Sequence, residues 1–193
     1  MSFTLVISGP AGVGKTTICE RLLEEFGDEL SRVITTTTRS PRSGEVDGKD
    51  YYFTEIDDFK NLARENAFLE YEMIHGNYYG TSKKAVFEKI GTSKNILINI
   101  DVRGAQSLRK EMNAQFSSDI KVVSIFLKPS NLDVLKERLF KRGSDSKENI
   151  EKRLETAKAE LEFAKEFDHE FFSTEKDPDY SMVKEIYLKN RQK

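Results

Sequence analysis

The sequence predicts an α/β protein in which a parallel β-sheet is flanked by helices. Near-continuous apolar runs, typical of strands buried on both faces, recur along the chain, and amphipathic helical patterns separate them. This alternation of strand and helix is typical of a parallel sheet with helical crossovers. A chain of 193 residues can bury a substantial core, so we expect a single domain over residues 1–193.

Four strands and five helices are predicted for this framework. The predicted strands are residues 3–8, 96–100, 122–127 and 170–173. The predicted helices are residues 16–26, 105–112, 132–141, 150–167 and a last one near 180–188. In the fourth helix apolar residues recur at steps of four and three, which indicates one buried face.

The stretch from residue 35 to residue 83 interrupts this alternation. It contains four glycines, five tyrosines and one proline, with strand-like segments at 51–53 and 68–74 and a helical pattern at 56–65. We expect a small mixed α/β subdomain here, inserted into a core formed by 1–34 and 84–193. A polar, glycine-containing segment between two predicted helices indicates a mobile helical lid at 141–156.

Composition narrows the class of function. The formal net charge of -2 argues against a general nucleic-acid binder, because such proteins carry a basic surplus. Cys19, the only cysteine, excludes an internal disulfide and is expected to be a packed thiol. The first residues lack the basic start and apolar run of a signal peptide, and no apolar run reaches membrane-spanning length. We therefore expect a cytoplasmic protein without a membrane partner.

Residues 9–16 match the pattern G-x-x-x-x-G-K-[ST] between a predicted strand and a predicted helix. Glycines let backbone N–H groups converge on phosphate oxygens, and the helix N-terminus adds positive potential. This P-loop predicts a nucleoside triphosphate site, with Lys15 at the β- and γ-phosphates and the Thr16 hydroxyl on Mg²⁺. The predicted ATP contacts are Gly9, Pro10, Ala11, Gly12, Val13, Gly14, Lys15, Thr16 and Thr17. The alternative is a glycine-rich turn with an incidental lysine.

Because GTPases, kinases and motor ATPases share the P-loop, downstream residues must indicate the reaction. Asp101 follows a predicted strand, where it would lie near the metal or orient an arginine; a strand-end cap is the alternative. Arg39 and Arg42 flank Pro41 and have a spacing that lets both guanidinium groups bind one phosphate, unless they are solvated surface. Two tyrosines, Tyr51 and Tyr79, can add donors to the same phosphate.

These segments together resemble the guanylate kinase family. The run Thr-Thr-Arg-x-Pro-Arg-x-Gly-Glu at 37–45, followed by Gly-Lys-Asp-Tyr at 48–51, is similar to the family's GMP-binding segment. Residues 68–70 and 76–81 resemble its other nucleotide-contacting stretches. Arg-Leu-x-x-Arg-Gly at 138–143, with Lys-Arg-Leu at 152–154, is similar to its lid. The motifs occur in family order over most of the chain.

The resemblance implies a P-loop kinase fold and in-line transfer of the γ-phosphoryl group of ATP to GMP, and to dGMP, with Mg²⁺ and no covalent enzyme intermediate. It implies catalytic roles for Lys15, Arg142 and Arg153. The GMP contacts that it implies are Thr35, Arg39, Arg42, Tyr51, Glu70, Tyr79, Thr81, Asn99 and Asp101. The substrates are then ATP and GMP or dGMP, with neither nucleic acid nor membrane as a partner; protein partners are not predicted.

The chemistry of guanine supports the role of Glu70. Guanine presents two adjacent donors, N1–H and the exocyclic amine, and one carboxylate accepts both, whereas adenine presents an acceptor at N1. A buried polar mismatch of this kind discriminates by factors on the order of 10⁴. The alternative is an ordinary exposed strand residue.

Two positions depart from the family pattern. Asn99 stands where the family commonly has an aspartate that helps bind the nucleotide, so the side chain brings no charge. Ser173 and Thr174 stand where the family usually has an Asn-Asp pair close to the adenine.

Two other functions stay open at this point. One is a non-catalytic binding module like the guanylate-kinase-like domains of membrane-associated scaffolds, although such domains tend to lose P-loop residues. The other is a kinase for a different nucleoside monophosphate, which Glu70 and Thr35 argue against.

Overall fold

The computed structural model describes residues 3–92, 94–116, 120–141 and 147–191. The strands in these ranges are β1 Phe3–Ser8, β2 Leu30–Arg32, β3 Thr36–Thr37, β4 Tyr52–Phe53, β5 Phe68–Ile74, β6 Asn77–Ser82, β7 Asn95–Asn99, β8 Lys121–Pro129 and β9 His169–Ser173. The helices are α1 Lys15–Phe26, α2 Ile56–Arg64, α3 Lys83–Ile90, α4 Val102–Phe116, α5 Leu132–Lys141, α6 Lys147–Leu161 and α7 Lys176–Asn190. Along these ranges no helix is both long enough and apolar enough to cross a membrane.

The larger sheet is parallel and has the strand order β2-β7-β1-β8-β9. Its central strand, β1, is buried along its whole length because helices cover both faces. Leu5 and Ile7 join a core that α1 and α7 complete, whereas Val6 faces a second core that includes residues of α3 and α4. This two-sided burial explains the continuous apolar runs and confirms the predicted α/β class.

Cys19 lies in the first of these cores, where it is fully buried as predicted. Burial raises the pKa of its thiol to about 12, so it is an unreactive core side chain.

The smaller sheet lies between residues 36 and 82 and has the order β4-β3-β6-β5. β3 pairs parallel with β4, and β6 pairs antiparallel with both β3 and β5. Phe59 of α2 closes one face of this sheet, with its ring 4.5 Å from that of Phe68 and 5.2 Å from that of Tyr78. The small sheet therefore has an aromatic core of its own.

Several elements differ from the sequence prediction. Four elements were not predicted: β2, β3, β6 and α3. Strands β2 and β3 are too short to show an apolar periodicity in the sequence, and within β2 only Leu30 is buried. The predicted helix 150–167 is wrong at both ends: α6 begins at Lys147 and ends at Leu161, and a 3₁₀ turn, Ala164–Glu166, follows. Apolar periodicity persists beyond the helix because Phe163, Ala164 and Phe167 pack around Phe126.

Candidate active site

The loop between β1 and α1 has the conformation that a phosphate-binding loop requires. Gly9, Gly12 and Gly14 all have positive φ, which residues with a β-carbon rarely adopt. At Gly9 a β-carbon would also lie 2.4 Å from the carbonyl oxygen of Leu127 on β8. The loop thus passes so close to the neighbouring strand that only glycine fits.

The two polar residues that end the motif lie at the N-terminus of α1. The Lys15 ammonium group donates to the carbonyl oxygens of Gly9 at 2.5 Å and Pro10 at 3.0 Å, so its charge is held over the loop. The Thr16 hydroxyl lies 3.5 Å from the amide nitrogen of Asn99, a long contact for a hydrogen bond. The end of β7 is thereby brought next to the predicted metal-binding hydroxyl.

Arg39 and Arg42 lie together because one carboxylate, Glu45, holds both. The two terminal nitrogens of Arg39 each donate to Glu45 at 2.9 Å. The backbone N–H of Arg42 donates to the same carboxylate at 2.7 Å, and its guanidinium group is 3.9 Å away. Sequence reasoning missed Glu45, although a carboxylate three residues after an arginine pair was a usable signal.

The Arg39 side chain is largely buried beside two tyrosines. Its guanidinium carbon lies 5.4 Å from the ring centre of Tyr51, and the Tyr51 and Tyr79 rings are 6.1 Å apart. Burial disfavours the charge of Arg39, but Glu45 and Tyr79 outweigh it and raise its pKa. Among the described residues the Arg39 Nε–H has no acceptor, which leaves one buried donor for a ligand.

Glu70 lies on β5 opposite Thr81 of β6 and is only 6% exposed. Burial raises the pKa of its carboxyl group to about 8; the neighbouring Thr81 opposes this, and Asp101 adds to it. The carboxylate approaches α4 at Gly104, where a β-carbon would lie 2.8 Å from its Oε2 atom. A buried carboxylate with few donors of its own is suited to accept hydrogen bonds from a ligand.

Thr35 and Asp101 have structural partners as well as predicted ligand roles. Thr35 is buried, and its carbonyl oxygen accepts from the backbone of Tyr52 at 2.9 Å. Asp101 caps α4, since one carboxylate oxygen accepts from the N–H groups of Arg103 at 2.9 Å and Gly104 at 3.0 Å. The capping alternative at Asp101 therefore describes a real contact, and its nucleotide contact stays a prediction.

The predicted lid is only partly described. Arg142 lies outside the described residues, whereas Arg153 is half-buried on α6. α5 and α6 pack against each other through Leu135, Leu139 and Ile150, next to Ala11 of the P-loop. The second predicted arginine thus lies on a helix that adjoins the phosphate loop.

Glu160 on α6 is a further carboxyl group that sequence reasoning missed. Burial raises its pKa to about 7, against the opposing charge of Lys15, which is its largest electrostatic neighbour. Helical spacing of seven places Glu160 on the same face as Arg153, and buried Ala157 lies between them. This face of α6 therefore carries two ionisable groups toward the P-loop side of the molecule.

Glu70 lies on β5 of the small sheet, against the first turn of α4, and Arg39 lies just after β3 of the same sheet. Strand β6 links them, because Tyr79 and Thr81 are two residues apart and project from the same face, about 7 Å from each other. Tyr79 lies beside Arg39, and Thr81 lies beside Glu70.

Comparison with known proteins agrees with this arrangement. The profile of a family described as guanylate kinase matches residues 1–189. A guanylate kinase of Campylobacter jejuni strain RM1221 is 38% identical over 189 residues, which cover 98% of this chain and 89% of that protein. That of Clostridium acetobutylicum is 39% identical over 165 residues, covering 86% and 75%.

A solved structure has the same fold over the whole chain. The crystal structure of guanylate kinase from Anaplasma phagocytophilum superposes with a TM-score of 0.77 and 26% identity, covering all of this chain and 87% of that one. The family profile spans the P-loop, the arginine pair, Glu70 and α6. The chain belongs to the guanylate kinase family.

Proposed function

We propose that this protein transfers the γ-phosphoryl group of ATP to GMP, giving ADP and GDP, and that it also accepts dGMP. The observation that carries this proposal is one face of β6 with a buried carboxylate beside one end and a largely buried arginine beside the other. Thr81 adjoins the buried Glu70, and Tyr79 adjoins Arg39. A purine monophosphate bound along β6 presents its base to Glu70 and its phosphate to the arginines.

We assign guanine selection to Glu70, Thr35 and Thr81, of which Thr81 lies opposite Glu70 on the neighbouring strand. The ionised carboxylate accepts from N1–H and from the exocyclic amine, which adenine cannot reproduce. Because Glu70 is buried, a wrong base leaves a buried polar group unpaired, and that costs more than a missed contact at the surface.

The phosphate of GMP is assigned to Arg39, Arg42, Tyr51 and Tyr79. Glu45 orients both arginines before the ligand arrives, so less conformational freedom is lost on binding. The buried Nε–H of Arg39 and the phenolic groups supply donors at fixed positions. The acceptor phosphate is held where transfer occurs.

The donor phosphates are assigned to residues 9–17. Backbone N–H groups of the loop bind the phosphate oxygens, and the Lys15 ammonium group exchanges the loop carbonyls for the β- and γ-phosphates. Phosphoryl transfer depends chiefly on positioning and charge stabilisation. Arg153 and Arg142 are assigned to the transferring group, and we infer that the lid at 141–156 and the subdomain at 35–83 close to exclude water.

Magnesium is expected to bind with ATP. Mg²⁺ prefers oxygen ligands and is held in kinases by one or two protein groups together with substrate phosphates. The Thr16 hydroxyl supplies such an oxygen at the mouth of the loop, with Asn99 3.5 Å away. Bound there, the ion would neutralise charge on the β- and γ-phosphates.

The two other candidate functions are less well supported. A scaffold module has no need of the strained glycine loop and the lysine held over it, both of which are intact. A kinase for another monophosphate has no need of a buried carboxylate at the base. We also propose a cytoplasmic location for the protein.

A coupled assay of ADP formation with GMP, dGMP, AMP and UMP tests the proposed function. GMP and dGMP should support turnover, and AMP and UMP should be slower by orders of magnitude. No turnover with any acceptor would favour the scaffold function, and preference for AMP or UMP would favour a different kinase.

A further inference from the structure

We propose that Asp179 is a positioning residue for the ATP site, through a ring of hydrogen bonds that fixes the P-loop carbonyl of Val13. Asp179 lies in the first turn of α7 and is only 5% exposed. No sequence motif pointed to it. The inference rests on the proposed function, because it takes the P-loop to bind the donor nucleotide.

The ring joins three parts of the chain to the P-loop. The Ser173 hydroxyl, at the end of β9, lies 2.6 Å from Asp179 Oδ2 and 2.9 Å from the Val13 carbonyl oxygen. The backbone N–H of Thr174 donates to Asp179 Oδ1 at 2.9 Å. Arg138 of α5 closes the ring, since its guanidinium group donates to Val13 at 3.1 Å and to the Thr174 carbonyl at 3.4 Å.

A hydroxyl group has one proton, so Ser173 donates to one of its two acceptors at a time. The shorter contact, to the carboxylate, is the stronger, which leaves Arg138 as the steady donor to Val13. Asp179 then acts on both sides of the ring. It fixes Ser173 beside the P-loop, and it fixes Thr174, whose carbonyl oxygen accepts from the other terminal nitrogen of Arg138. All of these groups except Arg138 and the Thr174 side chain are buried.

The Val13 carbonyl matters because of the peptide bond that follows it. A trans peptide is planar, so the carbonyl of Val13 and the N–H of Gly14 point in opposite directions. Arg138, which holds the carbonyl on the α5 side, therefore aims the Gly14 N–H to the other side, where we place the phosphates. Gly14 has a φ of 118°, which glycine adopts without strain, so a contact from outside the loop is needed to fix the direction of its N–H.

The ring also accounts for the departure at the end of β9. The family's Asn-Asp pair is replaced there by Ser173 and Thr174, and the structure supplies a carboxylate from α7 instead.

The test compares Asp179→Ala and Asp179→Asn with a matched control, Asp177→Asn. Asp177 lies in the same helical turn, but it is 88% exposed and pairs with Arg21 on the surface. The asparagine amide can accept from Thr174 and donate to Ser173, whose proton then goes to Val13, so this variant retains the ring. Alanine removes both contacts.

The readouts are the dissociation constants of ATP and of GMP, each measured alone by calorimetry, with the KM for ATP and kcat. Asp179→Ala should weaken ATP binding and raise its KM by about tenfold, with GMP affinity within twofold of wild type. Asp179→Asn and Asp177→Asn should stay within about threefold for both ligands.

Unchanged ATP affinity in Asp179→Ala would overturn the proposal, and so would an equal loss of ATP and GMP affinity, which indicates a general structural role. If Asp179→Ala does not fold, Ser173→Ala replaces it, with the same expected selective loss of ATP affinity. If wild type binds ATP but transfers nothing to GMP, the proposed function fails, whereas the ATP measurements on the variants still decide the role of Asp179.

Discussion

The Oε2 atom of Glu70 lies 2.8 Å from the point that a β-carbon on Gly104 would occupy. The same β-carbon would lie 2.7 Å from the side chain of Ile100, so the first turn of α4 closes directly over the carboxylate. Glu70, which we propose contacts the base, is thus positioned by a helix that packs on the large sheet.

Gly104→Ala should therefore impair guanine recognition. The added methyl group displaces Glu70 or Ile100, and overpacking of this kind costs roughly 1–3 kcal/mol. We expect GMP affinity to fall by about tenfold or more while ATP affinity is retained. Gly91→Ala is the matched control, because a β-carbon there meets its nearest neighbour at 3.6 Å, an ordinary contact. Equal GMP affinity in the two variants would contradict this role of Gly104.

GMP binding should release a proton near neutral pH. With its pKa raised to about 8 by burial, Glu70 is mostly protonated below that pH, and guanine requires the ionised form. GMP affinity should therefore rise with pH until about pH 8. Because one proton is released on binding, the rise is up to about tenfold, or about 1.4 kcal/mol, per pH unit. Guanosine should show the slope due to Glu70 alone, because it lacks the phosphate, which itself titrates near pH 6.

Calorimetry in two buffers of different ionisation enthalpy measures the proton directly. A guanosine affinity independent of pH between about 6.5 and 8 would contradict the linkage. In the free protein the same raised pKa has the opposite consequence: native Glu70 binds more protons than the unfolded chain between about pH 4.5 and 8, so its contribution to stability decreases as pH rises through that window.

Arg39→Ala and Arg42→Ala should each weaken GMP binding by roughly 2–5 kcal/mol, the range for truncating one partner of a buried charge pair. Arg39→Ala also removes two hydrogen bonds to Glu45, whereas Arg42→Ala keeps the backbone N–H that donates to this carboxylate. Guanosine, which lacks the phosphate, should bind almost equally to wild type and variants. Arg64→Ala, at an exposed position on α2, serves as control. If guanosine binding falls as much as GMP binding, the arginines support the fold instead.

Lys15→Ala should nearly abolish turnover while GMP affinity remains close to that of wild type. The lysine is held over the P-loop, where we assign the donor phosphates, so its loss should affect those phosphates and not the GMP contacts. Steady-state kinetics and a separate GMP titration measure the two effects. Turnover within a few fold of wild type would show that Lys15 is dispensable for transfer.

The sequence predicted the parts of the molecule whose signals are local. The P-loop motif, the continuous apolar strands and the segment at 37–45 each carry their information within a few residues, and the predicted α/β class is confirmed. Three of the predicted bounds, at Phe3–Ser8, Phe68–Ile74 and Leu132–Lys141, agree with the structure to the residue. The assigned roles of individual site residues stay predictions.

Contacts between distant parts of the chain could not be predicted in this way. Asp179 reaches the P-loop through Ser173, 160 residues from Val13, and no spacing rule connects them. In the sequence alone Gly104 is an ordinary helical glycine. Only the structure shows that the Glu70 carboxylate packs against it. Glu160 lies in an amphipathic helix, so in the sequence alone it resembles a surface charge. Only the structure shows that it is half-buried near Lys15 of the P-loop.

The central claim is that the Glu70 carboxylate recognises guanine by accepting hydrogen bonds from N1–H and the exocyclic amine. The ratio of GMP to IMP activity tests it most directly. IMP keeps the N1–H of guanine but lacks the exocyclic amine. Wild type should use IMP much less well than GMP, because each hydrogen bond to a charged group contributes roughly 1.5–3 kcal/mol. Glu70→Gln keeps the size of the side chain but presents an NH₂ group to a guanine donor. GMP activity should then fall and the GMP/IMP ratio shrink; an unchanged ratio would contradict the assignment.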